Sequence, residues 1–253
     1  MIVVCDPVLT WWEKHVEDLG EFYAENKQKH GLDLHREVGR PLHKVQANAV
    51  RRAQEAGASH VLFTEQDHWG YPMDGLDRLL AHDKDVVGFV THYRCDPKDI
   101  VKMRDFYSSY PFAPMCMRKL DPSKSLLEPR RNLKSFTPDG LEKADLLTWA
   151  FTLVKMEVFE RMMEAHKNPF EQWGQAPTDS YFCQYAEDLG IEKWVDGTTM
   201  IEHGDVPNEL IPYFREMYGK IHADARREKL QGGEDNPATV LEVEEWCRKK
   251  NAA

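Results

Sequence analysis

The sequence predicts an α/β fold in which a mostly parallel sheet is flanked by helices. Over the first 92 residues, short apolar segments typical of strands alternate with amphipathic segments typical of helices, which is the order of a parallel sheet with crossover helices. The chain has 253 residues, of which 42% are hydrophobic, enough to bury a sizeable core. It contains neither a Gly-x-Gly-x-x-Gly motif nor a Gly-Lys-Ser/Thr loop, which disfavours dinucleotide-binding and P-loop folds.

The first predicted strand is the apolar segment from Ile2 to Cys5, which stops at Asp6-Pro7. The segment Thr10-Trp11-Trp12-Glu13 has the form of a capping box and predicts that a helix follows. Apolar residues spaced by four, three and four positions predict the face that this helix turns to the sheet. These residues are Trp12, Val16, Leu19 and Tyr23.

Two further strand and helix units follow. Leu32 to Val38 predicts a second strand, and Pro41 is suited to the first residue of a helix that Gly57 ends. Val61 to Asp67 predicts a third strand, and Pro72 opens a helix whose leucines face inward. A fourth strand is predicted from Asp85 to His92.

Residues 93–145 change in character. They are rich in proline and aromatic residues, which predicts irregular structure lying over the sheet. Regular structure is predicted to return with a strand from Leu146 to Val154 and a helix from Glu157 to Ala165. Another helix is predicted to begin at Thr178 and to stop at Gly190. Two short strands, Trp194-Val195 and Thr199-Met200-Ile201, are expected before the charged, helical C-terminal region.

Composition narrows the class of protein. The five cysteines are scattered and form no Cys-x-x-Cys pair, which argues against a disulfide framework and against a thiolate zinc site. The net charge of −10 disfavours nonspecific binding to nucleic acid or anionic membranes. No apolar run has the length of a membrane span, and no basic region precedes the first strand. We therefore expect a cytoplasmic protein without a membrane span.

The third strand leads directly into a cluster of polar residues. Glu65 and Asp67 follow Val61-Leu62-Phe63-Thr64, and in open α/β sheets ligands bind beyond the carboxyl ends of the strands. Carboxylates at alternate positions are suited to a hard divalent cation such as Mg²⁺ or Mn²⁺ and the phosphates that it binds. Acids at this position are equally consistent with solvated loop residues or helix caps. His68 has no predicted task.

Two residues late in the chain are further candidates. His203 follows a short strand, and a neutral imidazole there would suit Mn²⁺ and complete a site begun by Asp67, although a lone histidine is more often structural. Asp179 stands at a helix start, where a carboxylate is expected as an N-cap. A general base is the alternative.

The irregular region holds two more features. Arg118 to Lys134 contains six basic residues and two acidic ones, which predicts a solvated face. The alternative is a clamp for a phosphate or a polyanionic acceptor. Tyr107, Tyr110 and Phe112 are suited to stacking on a sugar or base, although packing of a loop onto the core is the more common role of such residues.

In this order, the segments resemble the glycosyltransferases of the GT-A fold, in particular the compact group common in phages and bacteria. Asn48-Ala49 through Asp67 is similar to the family's helix, strand and Asp-x-Asp motif. Leu147 to Phe159 is similar to the acceptor-side strand and its helix. Asp179-Ser180-Tyr181-Phe182-Cys183, closing on His203-Gly204, resembles the family's Glu-Asp helix and metal-binding histidine.

The resemblance implies a Rossmann-like GT-A domain over residues 1–205, with a nucleotide-binding half at 1–92, an acceptor half at 93–205, and a helical extension at 206–253. It implies that Asp67 and His203 bind Mn²⁺ or Mg²⁺ and that Glu65 contacts the nucleotide diphosphate sugar. It also implies that Asp179 deprotonates the acceptor hydroxyl. The remaining implied contacts lie on the donor side and the acceptor side. They are Asp6 and Asn48 for the donor, and Trp149 and Tyr110 for the acceptor.

Four departures from the family pattern keep alternatives open. They are Glu65 for the first Asp, Thr178 for a Glu, Ala47 for an Arg, and Thr148-Trp149-Ala150 for a small, glycine-rich segment. The leading hypothesis is an inverting, metal-dependent transfer of a sugar to a hydroxyl on a small molecule, glycan or protein. The alternatives are a degenerate GT-A domain that serves as a binding or assembly module, and an enzyme acting on hydroxylated bases of phage-type DNA.

Overall fold

A computed structural model describes residues 1–8, 13–39, 41–92, 114–127, 132–170 and 177–204. Its strands are β1 (Ile2–Val8), β2 (Leu32–Val38), β3 (His60–Thr64), β4 (His68–Trp69), β5 (Val86–Thr91), β6 (Met117–Lys119), β7 (Leu133–Ser135), β8 (Leu141–Ala144), β9 (Phe151–Lys155) and β10 (Lys193–His203). Its helices are α1 (Glu13–His30), α2 (Leu42–Glu55), α3 (Gly75–Ala81), α4 (Met156–Glu164) and α5 (Thr178–Asp188).

The main sheet confirms the predicted fold class. Its strand order is β2-β1-β3-β9-β5-β10-β4, and β8 pairs with β10 beside this path. β1 is parallel to both β2 and β3, and β10 is parallel to β5. β9 runs antiparallel between β3 and β5, so those two strands also share one direction. The result is the predicted α/β arrangement, a mostly parallel sheet flanked by helices.

Alternate residues of the central strands feed two apolar layers, one on each face of the sheet. In β3, Phe63 belongs to the layer that packs against α2, α4 and α5, whereas Leu62 belongs to the layer that packs against α1 and α3. Aromatic rings fill both layers, with Trp149 against Phe63 on one face and Phe22 against Phe151 on the other. Because both faces are covered there, the central strands β3, β5 and β9 are largely apolar rather than alternating.

Several predicted boundaries are confirmed. β2 spans the predicted residues, and α2 follows Pro41 and ends before Gly57, which adopts a left-handed φ of 63°. Gly190, with a φ of 67°, follows α5 in the same way. A left-handed residue just after a helix is a common stop that glycine adopts without strain.

Two predictions near the N-terminus were wrong in detail. β1 does not stop at Asp6-Pro7, because its pairing with β2 continues to Val8 opposite Val38. The buried face of α1 also differs from the apolar stripe of the sequence, of which Leu19 is buried but Val16 and Tyr23 are only half-buried. The buried residues of α1 are His15, Leu19, Phe22 and Asn26. Two of them are polar, so an apolar pattern could not identify this face.

The region from 114 to 145 is more regular than predicted, since it contributes β6, β7 and β8. The two short strands predicted near residue 200 are one strand, β10, whose register with β5 shifts between Asp196 and Met200. Residues 93–113 and the predicted helical extension at 206–253 lie outside the described residues. Among the helices that are described, none has the length and apolarity to cross a membrane.

The close approach of β5 and β9 generates a stability prediction at Gly88. A Cβ atom there would lie 2.4 Å from Thr152 Oγ1 and 3.2 Å from the Phe151 carbonyl oxygen. We expect Gly88→Ala to lower the free energy of unfolding by about 1–3 kcal/mol through overpacking, as measured by urea denaturation.

Gly20, which is exposed in α1, provides the matched control for Gly88→Ala. A Cβ atom at Gly20 would have nothing within 4 Å, so Gly20→Ala should be neutral or stabilising by up to about 1 kcal/mol. Equal effects of the two substitutions would show that the packing of β5 against β9 is not tight.

Candidate functional site

The site forms where the carboxyl ends of the parallel strands meet. After β3, a turn at Glu65-Gln66-Asp67 leads into β4, which pairs antiparallel with the end of β10. In this pairing His68 lies opposite His203 and Trp69 lies opposite Glu202. The Trp69 Nε1–H donates to Glu202 Oε2 at 2.6 Å, and the Gly204 N–H donates to the Asp67 carbonyl. These bonds hold the chain after β3 against a strand that is distant in sequence.

Three buried side chains converge at this point: Asp67, His68 and His203. Their exposed fractions are 6%, 1% and 7%, and one potential ligand atom from each lies within 4.8 Å of the other two. Asp67 Oδ1 is 3.1 Å from His68 Nδ1, and Asp67 Oδ2 is 3.6 Å from His203 Nε2. Each oxygen of the Asp67 carboxylate therefore faces a nitrogen of a different imidazole.

The hydrogen bonding of His203 leaves its outer nitrogen suited to ligation. Nδ1 lies 2.9 Å from the His92 carbonyl oxygen. Because a carbonyl only accepts, Nδ1 carries the proton in a neutral ring and Nε2 carries the lone pair. Nε2 is the nitrogen that lies near Asp67. A second-sphere carbonyl that fixes the tautomer in this way is typical of metal-binding histidines.

His68 is deeply buried, yet neither ring nitrogen has a hydrogen-bond partner among the described residues. Its Nδ1 is close to Asp67, but not in hydrogen-bonding geometry. The His68 and His203 rings stack at 4.1 Å between centroids with an interplanar angle of 15°. Burial, followed by the neighbouring His203 and His15, holds the pKa of His68 well below its usual value. The ring is therefore neutral at pH 7.

The backbone of His68 is held by a second layer of buried groups. Its carbonyl oxygen accepts from His15 Nδ1–H at 2.8 Å and from the Tyr71 hydroxyl at 2.9 Å. Burial, reinforced by Asp6, raises the pKa of Tyr71 well above its usual value, so the hydroxyl keeps the proton it donates. His15 Nε2 in turn lies 2.8 Å from Asp6 Oδ1. The end of β1 is thus connected through α1 to the backbone of His68.

These residues fit a divalent metal ion. A buried imidazole without a hydrogen bond is costly unless something else engages its lone pair. One carboxylate and two neutral imidazoles are also a common set of protein ligands that leaves coordination positions open for water or substrate. No other group of three potential metal ligands occurs among the described residues.

The structure brings Asp67 and His203 together, as the resemblance implied, and adds His68, which the sequence left without a task. Glu65 stands beside the cluster, with Oε2 at 3.7 Å from His68 Nδ1, and its side chain is 24% exposed. His68 was missed because β4 has two residues, too few for any periodicity to indicate a strand. Its position directly after Asp67 was the one available signal.

The two other predicted donor-side residues make internal contacts. Asp6 is completely buried, and its carboxylate oxygens are engaged by Arg36 and His15. Asn48 is half-buried on α2 and donates from Nδ2 to Glu37 Oε1 at 2.8 Å. Both residues lie near the ends of β1 and β2. In the sheet these two strands are on one side of β3, and β9 is on the other.

Asp179 lies in the first turn of α5, and Trp149 contacts Thr178, the residue before Asp179. Asp179 is half-buried, and its Oδ1 accepts from the Ser180 N–H at 2.7 Å. Trp149 is 1% exposed, and its ring is enclosed by Phe63, Phe170 and Phe182. Its Nε1–H donates to Thr178 Oγ1 at 3.1 Å, which ties the helix start to the core.

The third acceptor-side candidate, Tyr110, lies outside the described residues, together with Tyr107 and Phe112. Within the basic segment, Arg118 pairs with Glu142 at 2.6 Å and Lys119 pairs with Glu187. Residues 128–131 of that segment also lie outside the described part of the chain.

A separate groove of about 570 Å³ lies between α2 and α4. Its walls include Val50, Phe159 and Phe170, and Arg51 and Lys167 also line it. None of the predicted site residues lines this groove. We place the candidate chemistry at the buried cluster instead, because that is where potential ligand atoms converge.

Comparisons with known proteins identify distant structural similarity only. No protein-family model and no curated protein sequence matches this chain. The chain is similar to A197 from STIV, with a TM-score of 0.46 and 12% identity over 80% of this chain and 84% of that one. It is also similar to the mannosyltransferase PcManGT from Pyrobaculum calidifontis, solved in complex with GDP-Man and Mn2+, with a TM-score of 0.40 and 15% identity over 96% of this chain and 68% of that one. Similarities this distant carry no argument about function, which rests on the chemistry of the site.

The lowered pKa of His68 predicts how stability depends on pH in the metal-free protein. The unfolded chain has an ordinary histidine pKa of about 6.5, so below that pH it takes up a proton that folded His68 does not. We expect the free energy of unfolding to fall between pH 7 and pH 5, with His68 contributing at most about 1.4 kcal/mol per pH unit.

Urea unfolding in the presence of a chelator measures this contribution, and the His68→Gln variant isolates it. The variant should have a shallower slope than the wild type below pH 7, and the two slopes should coincide between pH 7 and pH 8. Parallel curves over the whole range would contradict the neutral, buried state of His68.

Proposed function

We propose that this chain is a metal-dependent glycosyltransferase that moves a sugar from a nucleotide diphosphate sugar to a hydroxyl acceptor. The observation that supports this most directly is the convergence of Asp67, His68 and His203 at the carboxyl edge of a mostly parallel sheet. Ligands of open α/β sheets bind at that edge. The order of motifs along the sequence, which resembles GT-A glycosyltransferases, supports the same activity.

The charge of the cluster suits a diphosphate. A bound divalent cation would neutralise the negative charge that develops on the leaving diphosphate, and no proton transfer would be needed. In our proposal Asp67, His68 and His203 hold that ion. Asp67 contributes one negative charge and the neutral imidazoles contribute none, so the occupied site keeps a net positive charge. Such a site attracts a diphosphate more strongly than a site in which further carboxylates cancel the charge of the ion.

On the donor side, we propose that Glu65 contacts the ribose or sugar, since it is the partly exposed carboxylate beside the cluster. Asp6 and Asn48 remain the other donor-side residues of the proposal. Both carboxylate oxygens of Asp6 have internal partners, so Asp6 acts by holding Arg36 at the end of β2 and His15 beneath His68.

On the acceptor side, Asp179 is the proposed base that deprotonates the acceptor hydroxyl, which corresponds to transfer with inversion. Its half-buried position on the first turn of α5 supports this role. Trp149 contributes by anchoring Thr178, the residue next to Asp179. Tyr110 is proposed to contact the acceptor.

A second candidate is a GT-A domain that binds a metal and a nucleotide but does not transfer a sugar. Thr178 in place of an acid and the fully enclosed Trp149 favour it, because both alter the acceptor side. Metal-dependent turnover of any sugar nucleotide would exclude this candidate.

The test of the proposed function is donor hydrolysis and donor binding with Mn²⁺ and a panel of sugar nucleotides. We expect at least one donor to be bound and slowly hydrolysed. Asp67→Asn preserves the size of the side chain but removes its charge, and it should lower the rate by about 100-fold or more, as loss of a charge-stabilising group does.

Asp77→Asn is the matched control for Asp67→Asn, because Asp77 is half-buried on α3, with its side chain 38% exposed, and pairs with Lys29. It should leave the rate unchanged. The proposed function would be wrong if no donor were bound or hydrolysed, or if Asp67→Asn behaved like Asp77→Asn.

A further inference from the structure

The ligand atoms of the cluster are two imidazole nitrogens and one carboxylate oxygen. This set differs from the all-oxygen environment that hard cations require. Mg²⁺ and Ca²⁺ are bound through carboxylates, carbonyls and water, and Mg²⁺ gives up its water reluctantly. Imidazole instead suits first-row transition-metal ions. Whether a second imidazole binds the ion therefore decides which class of ion the site favours.

We propose that His68 is a metal ligand and that, together with His203, it makes the site select a first-row transition-metal ion over Mg²⁺ and Ca²⁺. This inference rests on the metal-binding role in the proposed function and specifies the class of ion. For nitrogen-containing sites the affinities rise from Mn²⁺ through Fe²⁺ to Co²⁺. Among these transition-metal ions Mn²⁺ is then bound most weakly, and Mg²⁺ is bound more weakly still.

Two observations on His68 support its role as a ligand. First, its ring is 1% exposed and neither nitrogen has a hydrogen-bond partner among the described residues, whereas the other buried imidazoles at this edge are hydrogen-bonded: His15, His92 and His203. Second, its backbone carbonyl accepts two hydrogen bonds, from His15 and Tyr71. The main chain is thus held firmly while the ring is left to engage something else.

The position of His68 relative to His203 supports the same role. The two residues are direct partners in the β4–β10 ladder, which places both side chains on the same face. Their rings stack at 4.1 Å, which two protonated imidazoles would resist because of like charge. Each ring also has one nitrogen near the Asp67 carboxylate, so a single ion bound beside Asp67 can accept a lone pair from both rings.

Metal titration of the full chain, without any sugar nucleotide, tests the inference. Calorimetry with Mg²⁺, Mn²⁺ and Co²⁺ should give Co²⁺ the tightest binding and Mg²⁺ the weakest, with at least about a tenfold difference between these two. The absorption spectrum of bound Co²⁺ reports nitrogen ligation directly. His68→Gln should weaken Co²⁺ binding by about tenfold or more and change that spectrum.

A matched control and a converse variant sharpen the result. His60→Gln removes an imidazole at the opposite end of β3 and should leave both affinity and spectrum unchanged. His68→Asp replaces nitrogen with oxygen and should narrow the difference between Co²⁺ and Mg²⁺. The inference is overturned if wild-type protein binds Mg²⁺ as tightly as Co²⁺, or if His68→Gln leaves the Co²⁺ spectrum unchanged.

A measurement on the unmutated protein covers the case in which a variant at this buried position fails to fold. The ring ¹⁵N resonances of His68 should shift when Zn²⁺ is added, and unshifted resonances would overturn the inference. The outcome is independent of turnover. Selective binding of a transition-metal ion without donor hydrolysis would reject the proposed transferase activity but support the inference about the ion. Donor hydrolysis that Mg²⁺ supports as well as Mn²⁺ does would support the transferase activity and overturn the inference.

Discussion

The pairing of β4 with the end of β10 is the constraint on which the candidate site depends. β3 and β10 are not neighbours in the sheet, since β9 and β5 lie between them. The chain after β3 must therefore cross the edge of the sheet, and the two-residue strand His68-Trp69 fastens it on the far side. The Trp69–Glu202 bond reinforces a ladder that is too short to be stable by itself. Without this pairing, Asp67 and His203 would not meet.

Burial then determines the chemistry of the residues that this pairing brings together. A partly exposed cluster of one acid and two histidines would be protonated or solvated according to pH. Here both imidazoles are largely excluded from water, and burial lowers the pKa of His68, so that its ring stays neutral and keeps a lone pair for an ion. In the layer beneath, Asp6, His15 and Tyr71 are hydrogen-bonded to one another and to the His68 backbone. Their polar groups are therefore engaged in holding the cluster rather than in binding an ion.

The parts that the sequence could predict are those encoded in local pattern. Short apolar strand segments, the proline before α2 and the glycines after α2 and α5 each act through nearby backbone geometry. The convergence of Asp67 with His203 was predictable because both follow strands, and strand ends of a parallel sheet share an edge. His68 and His15 were not predictable, because their burial depends on partners supplied by distant elements rather than on their own polarity. The donor sugar and the acceptor have no local pattern at all.

The central claim is that one ion is held jointly by Asp67, His68 and His203. Anomalous diffraction from crystals soaked with Co²⁺, recorded on both sides of the cobalt absorption edge, tests it most directly. The account predicts a single strong peak within ligand distance of one carboxylate oxygen of Asp67 and one ring nitrogen of each histidine. A peak bound by Glu65 or another surface carboxylate without His68 and His203, or the absence of any peak at the cluster, would contradict it.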